Sequence, residues 1–512
     1  MEEHRYYIGL DVGTTNWKAA LFTEQGALVD IERRPTITHT DSQGHGYYDP
    51  HELWGKCMEM MRTLTARNPV TVHGISVASV AEAVVPIDAH GDTVDNIITW
   101  YDTRSFRQAE EIREALGEEK IFSICGLDCN PIFSLPKVMW VRENCPDIFQ
   151  KAVKWLQMAD YVVYRLTGEI ATDYTLASRT LAFDVAQSDW SDEILSAVGL
   201  TREIFPQIME SGTLIGHVKK EICEELGLRG MPVVAVGAHD HPAASIAAGA
   251  VQGGKVLDSS GTAEAYLYVS GKNAKPNMKF DGQRTCRYLQ RDRYVLWGGI
   301  ISSGRSFDWA YELLASDKAF FPDQKLPAFD EILPQLEDVK GIEEGLIYYP
   351  HIRGAGAPHW DPRMRGSFVG IRDYMNGRHF LRAVLEGLSM QSRMIIDMQE
   401  RVSGEQIRQI CVVGGSSKNR LWQQLKANIT GRNVELCFEP EATALGAAML
   451  AAIADGVYGS IEEVSDLLAK KNVILVPDAE AQKRYEPFYS LYQEGYAALE
   501  QFNVYLHNLI NQ

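Results

Sequence analysis

Residues 236–262 read VGAHDHPAASIAAGAVQGGKVLDSSGT, and their order decides how the rest of the 512-residue chain is read. An apolar run, Val233 to Val236, leads to a lone acid, Asp240, in a turn. A helix of small residues follows, and then a strand that ends in Ser260-Gly261-Thr262. This order predicts a proton acceptor at the head of a helix, with a Gly-Thr turn further on whose free amides suit phosphate oxygens. One near-motif inside the stretch is discounted. Gly249 to Val256 has the G-x-x-x-x-G-K spacing of a P-loop, but Val256 stands where a hydroxyl residue is needed, and the segment leaves a helix to enter a strand, the reverse of the P-loop order.

The Gly-Thr turn is echoed near the N-terminus. Tyr6 to Asp11 reads as a strand, Gly13-Thr14-Thr15-Asn16 as a turn, Trp17 to Thr23 as the returning strand and Ala27 to Arg34 as a third, an antiparallel meander. Asp11-Val12-Gly13-Thr14 thus parallels Asp258-Ser259-Ser260-Gly261-Thr262. Two such units facing each other predict two phosphate-binding hairpins across a cleft, where ligands are expected. An acid ending a strand beside exposed amides suits magnesium and nucleotide phosphates. Asp11 would hold the metal through water, with Asp240 as a second candidate acid; Gly13, Thr14 and Thr15 would cradle oxygens, and Lys18 would add charge. Taken alone, D-x-G-T is equally open to an ordinary hairpin.

Length predicts two large lobes rather than one core, with boundaries at 1–250, 251–460 and a helical extension at 461–512. A formal charge of −18 argues against a nucleic-acid surface, since phosphate-backbone contacts need clustered Lys and Arg. No apolar run reaches the ~18 residues a membrane span needs. MEEHRYY has neither a basic nor an apolar signal region. The expected location is therefore the cytoplasm. The expected partner is a small molecule, with a homodimer as the candidate assembly. Eight cysteines without a C-x-x-C pair read as reduced core thiols.

Between the two hairpins, Asp49-Pro50 caps a helix from His51 to Ala66, and Val70 to Ser79 is a strand with Glu82 just beyond. A carboxylate in so apolar a segment needs a partner, so Glu82 is either a paired structural acid or an acceptor for hydroxyls. Trp100-Tyr101-Asp102-Thr103-Arg104 sets an aromatic, an acid and a base before the helix Ser105 to Leu116. Sugar sites use that mixture, and so do solvated helix caps. Trp155 to Leu166 reads as a helix, and the Ser- and Thr-rich Thr172 to Phe183 as a lid or site wall. In the second half, Ser302-Ser303-Gly304 precede an amphipathic helix, Ser306 to Leu314. Gly354 to Pro358 reads as a flexible loop, and Phe380 to Val402 as a long helix. Arg408 to Val413 is a strand that runs into Gly414-Gly415, with Asn419 opening the next helix. Two glycines there let backbone lie against an adenine or an α-phosphate, though a plain turn has the same pattern. Glu441 to Ala454 is an Ala-rich helix, and the tail from Ile461 reads as helical.

At these residues the chain resembles the FGGY family of carbohydrate kinases, from the Asp11 turn to about Gly456. Its second signature is matched by Gly366-x-Phe368-x-Gly370-Ile371, seven residues, then His379-Phe380-x-x-Ala383-Val384-Leu385-Glu386. The first is nearly matched by Ser134-x-x-Lys137-Val138-x-Trp140-Val141-x-Glu143-Asn144, with Ile132 a departure. The resemblance implies an α/β fold of two ribonuclease-H-like lobes around a nucleotide cleft, as in the actin, sugar kinase and Hsp70 ATPase superfamily. It implies ATP and Mg²⁺, Asp240 as general base, and Asp11 as the magnesium-associated acid. Gly261, Thr262 and Gly304 would lie on the phosphate side, Gly415 and Asn419 on adenosine, and Trp100, Asp102 and Arg104 on the substrate. Many relatives carry Gln then Met or Arg where this chain has Val80-Ala81, keeping only Glu82 at the polyol-contacting position. Glu82, Asp102 and Asp240 together would repel a carboxylate, which favours a neutral ketose or polyol. The alternatives are an aldonate (gluconate) kinase and a nucleotide-gated binding protein without turnover.

Overall fold

Tyr6–Val12, Asn16–Thr23 and Leu28–Pro35 form the antiparallel meander at the start of the chain. The third strand, carrying Asp30, Glu32, Arg33 and Arg34, is the edge, where charge discourages pairing with another chain. Val72–Ser79 joins Tyr6–Val12 in parallel, and Val233–Ala235 and Ala238–His239 pair with Val72–Ser79 in the same sense. Leu214–His217 runs antiparallel at the far side and completes seven strands. The computed structural model describes residues 4–272, 274, 278–315 and 328–510.

The second half repeats the plan. Lys255–Ser260 takes the place of Tyr6–Val12, with Glu264–Val269 and then Tyr294–Ile300 antiparallel on one side. Gln409–Val413 and Asn433–Leu436 lie parallel on the other. Val473–Leu475 and Arg284–Arg287 close the two edges. Each sheet therefore orders its strands third, second, first, fourth, fifth, an antiparallel meander continued by parallel crossovers. This two-lobed α/β architecture is the one expected from the two ribonuclease-H-like units.

Two helices of small residues run between the sheets. Asp240–Ala248 touches Gln409–Val413 and Lys255–Ser260 of the second sheet, while Ala442–Ala454, from the second half, packs on Tyr6–Val12 and Val72–Ser79 of the first. Their approach depends on a missing side chain: a Cβ on Gly446 would lie 1.9 Å from the Ala243 carbonyl oxygen. Alanine-rich faces let these backbones meet, so the helix that begins with Asp240 is anchored between the lobes.

Four segments depart from the sequence reading. Trp155 and Leu156 belong to a strand, Lys154–Gln157, paired with Val84–Ile87. The helix starts only at Met158, where Gln157 and Asp160 close a capping box. The Gly354–Pro358 loop is pinned rather than flexible: Ala355 and Ala357 are buried, and the Ala357 N–H donates to the Gly299 carbonyl at 2.9 Å. The tail is not helical throughout. Val473–Leu475 joins the second sheet, and the helix Ala479–Ile510 buries Tyr485, Tyr489, Tyr492 and Tyr496 in that lobe's core. Finally, Asp258 is no twin of Asp11, as its surroundings below show. Among the described residues no helix is long and apolar enough to cross a membrane, and all eight cysteines are free thiols.

Candidate functional site

A cleft of about 410 Å³ opens in the second lobe. It brings together Gly261, Thr262, Gly304, Gly415 and Asn419, all singled out in the sequence. The turn after Ser260 is held by its neighbour: the Gly304 and Ser303 N–H groups donate to the carbonyls of Gly261 and Thr262 at 3.1 and 3.0 Å. A Cβ on Gly304 would sit 2.4 Å from the Gly261 oxygen, so the two turns nest only because residue 304 is glycine. Asn419 caps the helix Arg420–Thr430, accepting the Trp422 N–H at 3.0 Å. Phe307, Leu333 and Trp422 supply apolar walls, and Asp308, Ser416 and Lys418 polar ones. These six were not foreseen; only the amphipathic pattern of 306–314 pointed toward any of them. Volume and lining suit a nucleotide, with flat apolar surface for a base and a glycine cradle for phosphates.

Beneath this cleft lies a buried ion cluster. Lys426, on the helix Arg420–Thr430, donates to Asp258 and Glu264, which lie on the strands either side of the Gly261-Thr262 turn, and all three side chains are fully buried. Ser303 Oγ adds a hydrogen bond to Glu264 at 2.8 Å. Burial and the neighbouring Glu264 push Asp258 well above the usual carboxylate range. Burial acts on Glu264 in the same direction but is outweighed by Lys426 and its hydrogen bonds, so Glu264 is held low. Asp258 is therefore a fully buried structural acid of the second lobe, whereas the Asp11 side chain keeps 11% exposure.

The first hairpin does not line the cleft. Gly13 is partly buried and Thr14 and Thr15 are exposed, with the turn tied down by Thr36 Oγ1 donating to the Gly13 carbonyl at 2.8 Å. Asp11 is buried on the strand before it and faces Lys18 at 3.4 Å. Lys18 also reaches Glu441 of the second half at 2.8 Å, so one cation bridges the lobes beside Asp11. Burial pushes Asp11 up to about 6, Lys18 opposes this, and Asp240 adds to it. Among the described residues no three His, Cys, Asp or Glu side chains cluster as a metal cage.

Asp240 heads its helix with a fifth of its side chain exposed. Its Oδ1 accepts the His241 N–H at 2.7 Å and stands 3.3 Å from His239 Nε2. Burial raises its pKa, the charge of Glu82 adds to the rise, and His241 and Arg179 oppose it. The turn before it is pinned through Thr175, whose Oγ1 accepts the His239 N–H at 2.8 Å and donates to Asp173 at 2.7 Å. Glu82 is buried with φ of 68°, a left-handed backbone unusual for a residue with a side chain, the sort of strain that collects at functional sites. Arg179 Nε donates to Glu82 Oε1 at 2.6 Å and Nη2 lands on the same oxygen. The 172–183 segment thus sets Thr175 against the turn before Asp240 and Arg179 against Glu82.

Lys137 fixes the same region from below, its Nζ donating to the carbonyls of Glu82, Thr99 and Trp100 at 3.1, 2.9 and 3.0 Å. Burial draws it down to about 7, while Glu82 and Asp102 favour the charge; three carbonyl partners use all three N–H bonds of an ammonium. Asp102 and Arg104 close on each other, with Nη2 to Oδ2 at 2.9 Å and Nε to Oδ1 at 3.0 Å, and the Gly46 N–H completes Asp102 at 2.9 Å. Both are buried in this pair, so neither offers the open charged fork expected of it. The Arg104 guanidinium lies 5.1 Å over the Trp140 ring, and the Trp100 indole N–H is buried without a partner among the described residues. The expected carboxylate-repelling field is corrected accordingly: two of its three acids carry an arginine.

Models of the FGGY family of carbohydrate kinases match residues 6–247, as its N-terminal domain, and residues 259–454, as its C-terminal domain. The chain belongs to the FGGY family of carbohydrate kinases. It is similar to the xylulose kinase of Bacillus subtilis (strain 168), 28% identical over 98% of this chain and 99% of that one. It is also similar to the glycerol kinase of Thermococcus gammatolerans, 30% identical over 90% of this chain and 92% of that one. A crystal structure of xylulose kinase from Rhodospirillum rubrum superposes with a TM-score of 0.88, covering 98% of this chain and 100% of that one at 24% identity, a likeness of fold. This FGGY kinase is thus a phosphotransferase with an alcohol group as acceptor.

Proposed function

We propose that the chain phosphorylates one hydroxyl of a small neutral sugar or polyol, with Asp240 as general base. The observation that carries this reading is where Asp240 sits: it heads the helix Asp240–Ala248 between the lobes with a fifth of its side chain exposed, in a turn pinned through Thr175, and near enough to Asp11, Glu82 and Arg179 for charge to be felt among them. A carboxylate between a phosphate-side acid and an acceptor-side ion pair is where an attacking hydroxyl must give up its proton. Asp240 takes that proton as the hydroxyl oxygen bonds to the γ-phosphorus and the bond to the β,γ-bridging oxygen breaks, leaving ADP. Positioning and charge stabilisation supply most of the acceleration, and the base contributes roughly 10²–10⁴-fold.

Glu82 presents the acceptor with a carboxylate whose Oε1 is held by Arg179 and whose Oε2 makes no hydrogen bond among the described residues. A hydroxyl can donate there. The nucleotide lies in the cleft of Gly261, Thr262, Gly304, Gly415 and Asn419, with Gly13, Thr14, Thr15 and Lys18 closing on its phosphates from the first lobe. Asp11 is a hard oxygen donor with Lys18 as its cationic neighbour and, among the described residues, no metal cage around it, which suits magnesium, an ion that keeps its waters and takes its remaining ligands from nucleotide phosphates. Magnesium, when bound, neutralises phosphate charge. Xylulose and glycerol kinases at 28% and 30% identity, beside a gluconokinase at 26%, favour a neutral acceptor. The test is ADP release by the purified chain with D-xylulose, glycerol or D-gluconate. Stimulation by a neutral acceptor is expected; stimulation by gluconate alone, or by none, contradicts the reading.

A further inference from the structure

The acceptor side has a neighbour from the other lobe that no motif explains. Trp297 lies on Tyr294–Ile300 of the second sheet, the strand that leads into Gly304. Its ring reaches the first lobe, with its centroid 5.1 Å from that of His239 and 5.7 Å from that of His241, and with the Arg179 guanidinium 5.2 Å over it. Trp297 is 8% exposed and His239 4%. Each nevertheless carries a buried ring nitrogen without a hydrogen-bond partner, Nε1 of Trp297 and Nδ1 of His239. A buried ring nitrogen left unmet is costly, whether it is an indole donor or the acceptor nitrogen of a neutral imidazole. Here two stand together, one residue from the base and against the arginine that holds Glu82.

We propose that Trp297 is a specificity-determining residue of the acceptor site, its indole N–H, with the His239 ring, hydrogen-bonding a hydroxyl next to the one that is phosphorylated. The acceptor is therefore a chain of adjacent hydroxyls that runs from Asp240 toward Trp297, and the second lobe completes its binding site. An aromatic ring beside a charged pair suits such a molecule, offering apolar surface to its C–H groups and polar atoms to its hydroxyls. The inference rests on Asp240 marking the acceptor site, the reading proposed above.

The test uses the full chain with D-xylulose, glycerol and D-gluconate as acceptors, comparing wild type, Trp297→Phe, Trp297→Tyr and Asp240→Asn. For the acceptor turned over best, both ring-conserving variants are expected to lose roughly tenfold in kcat/KM, chiefly through acceptor KM, with KM for ATP unchanged. Wild-type acceptor kinetics in both would overturn the assignment, and an equal rise in KM for ATP would reduce Trp297 to lobe packing and overturn it too. A second measurement needs no variant: in wild-type protein carrying ¹⁵N-tryptophan, titrating the same acceptor should shift an indole N–H resonance, and no shift in any of them refutes the contact. If Asp240→Asn keeps full turnover, the site reading fails and this inference falls with it. If that variant is inactive while Trp297→Phe and Trp297→Tyr behave as wild type, only the role of Trp297 is lost.

Discussion

Replacing Lys426 with methionine probes the buried cluster that holds the Gly261-Thr262 turn. The substitution keeps most of the side-chain volume and removes one charge, leaving the fully buried Asp258 and Glu264 facing each other without the cation they share. Breaking a buried pair in this way costs about 3–5 kcal/mol, against the roughly 5–15 kcal/mol that separates a folded domain from its unfolded chain. For a lobe of this size that lowers the melting temperature by roughly 6–20 °C. Asp258→Asn is the control. Burial and Glu264 both favour the neutral form of Asp258, so an amide is expected to replace it at a cost of about 1 kcal/mol or less. Urea unfolding at neutral pH measures both variants, and ADP release measures KM for ATP, which should rise in Lys426→Met as the turn between the two acids relaxes. The reasoning is refuted if Lys426→Met costs under about 1 kcal/mol, or if Asp258→Asn costs as much as Lys426→Met.

Glu82→Gln should move the acid limb of the pH profile of kcat/KM to lower pH. Asp240 works ionised, and burial together with the Glu82 charge raises its pKa, so activity fades on acidification earlier than for an ordinary carboxylate. Removing that charge, and leaving Arg179 unopposed, eases ionisation; an upward shift or none would contradict the coupling. Gly304→Ala drives a methyl group into the Gly261 carbonyl and should raise KM for ATP by roughly 10²-fold with acceptor KM little changed, read from initial rates of ADP release. Unchanged ATP kinetics would detach Gly304 from the nucleotide.

The two-lobed plan was legible because it is written twice: the same strand-turn-strand order around Gly13-Thr14 and around Gly261-Thr262, each followed by parallel crossovers. Residues that gather the second-lobe cleft were legible for a local reason, since a glycine turn at a strand end can be recognised from its neighbours in sequence. Arg179, Trp297 and the Lys426 cluster were not, because each acts on a partner remote in the chain. Arg179 meets Glu82 only where the 172–183 segment folds back, and Trp297 reaches its neighbours only across the lobe interface. Asp102 and Arg104 read as free charges because spacing cannot show that an i, i+2 pair turns inward on itself. Asp258 misled for the opposite reason: the repeat gives each acid a lysine, but Asp258 is sealed in with a second carboxylate, Glu264, while Asp11 keeps a little exposure.

The account rests on Asp240 as the group that deprotonates the acceptor, and Asp240→Asn tests it most directly. Asparagine keeps the shape and can still accept the His241 N–H, but it cannot take a proton. Acceptor-stimulated ADP release should fall by roughly 10²–10⁴-fold, while ATP affinity, measured calorimetrically on the same protein, stays as in wild type. Turnover within a few-fold of wild type, or ATP affinity lost along with it, would contradict the claim.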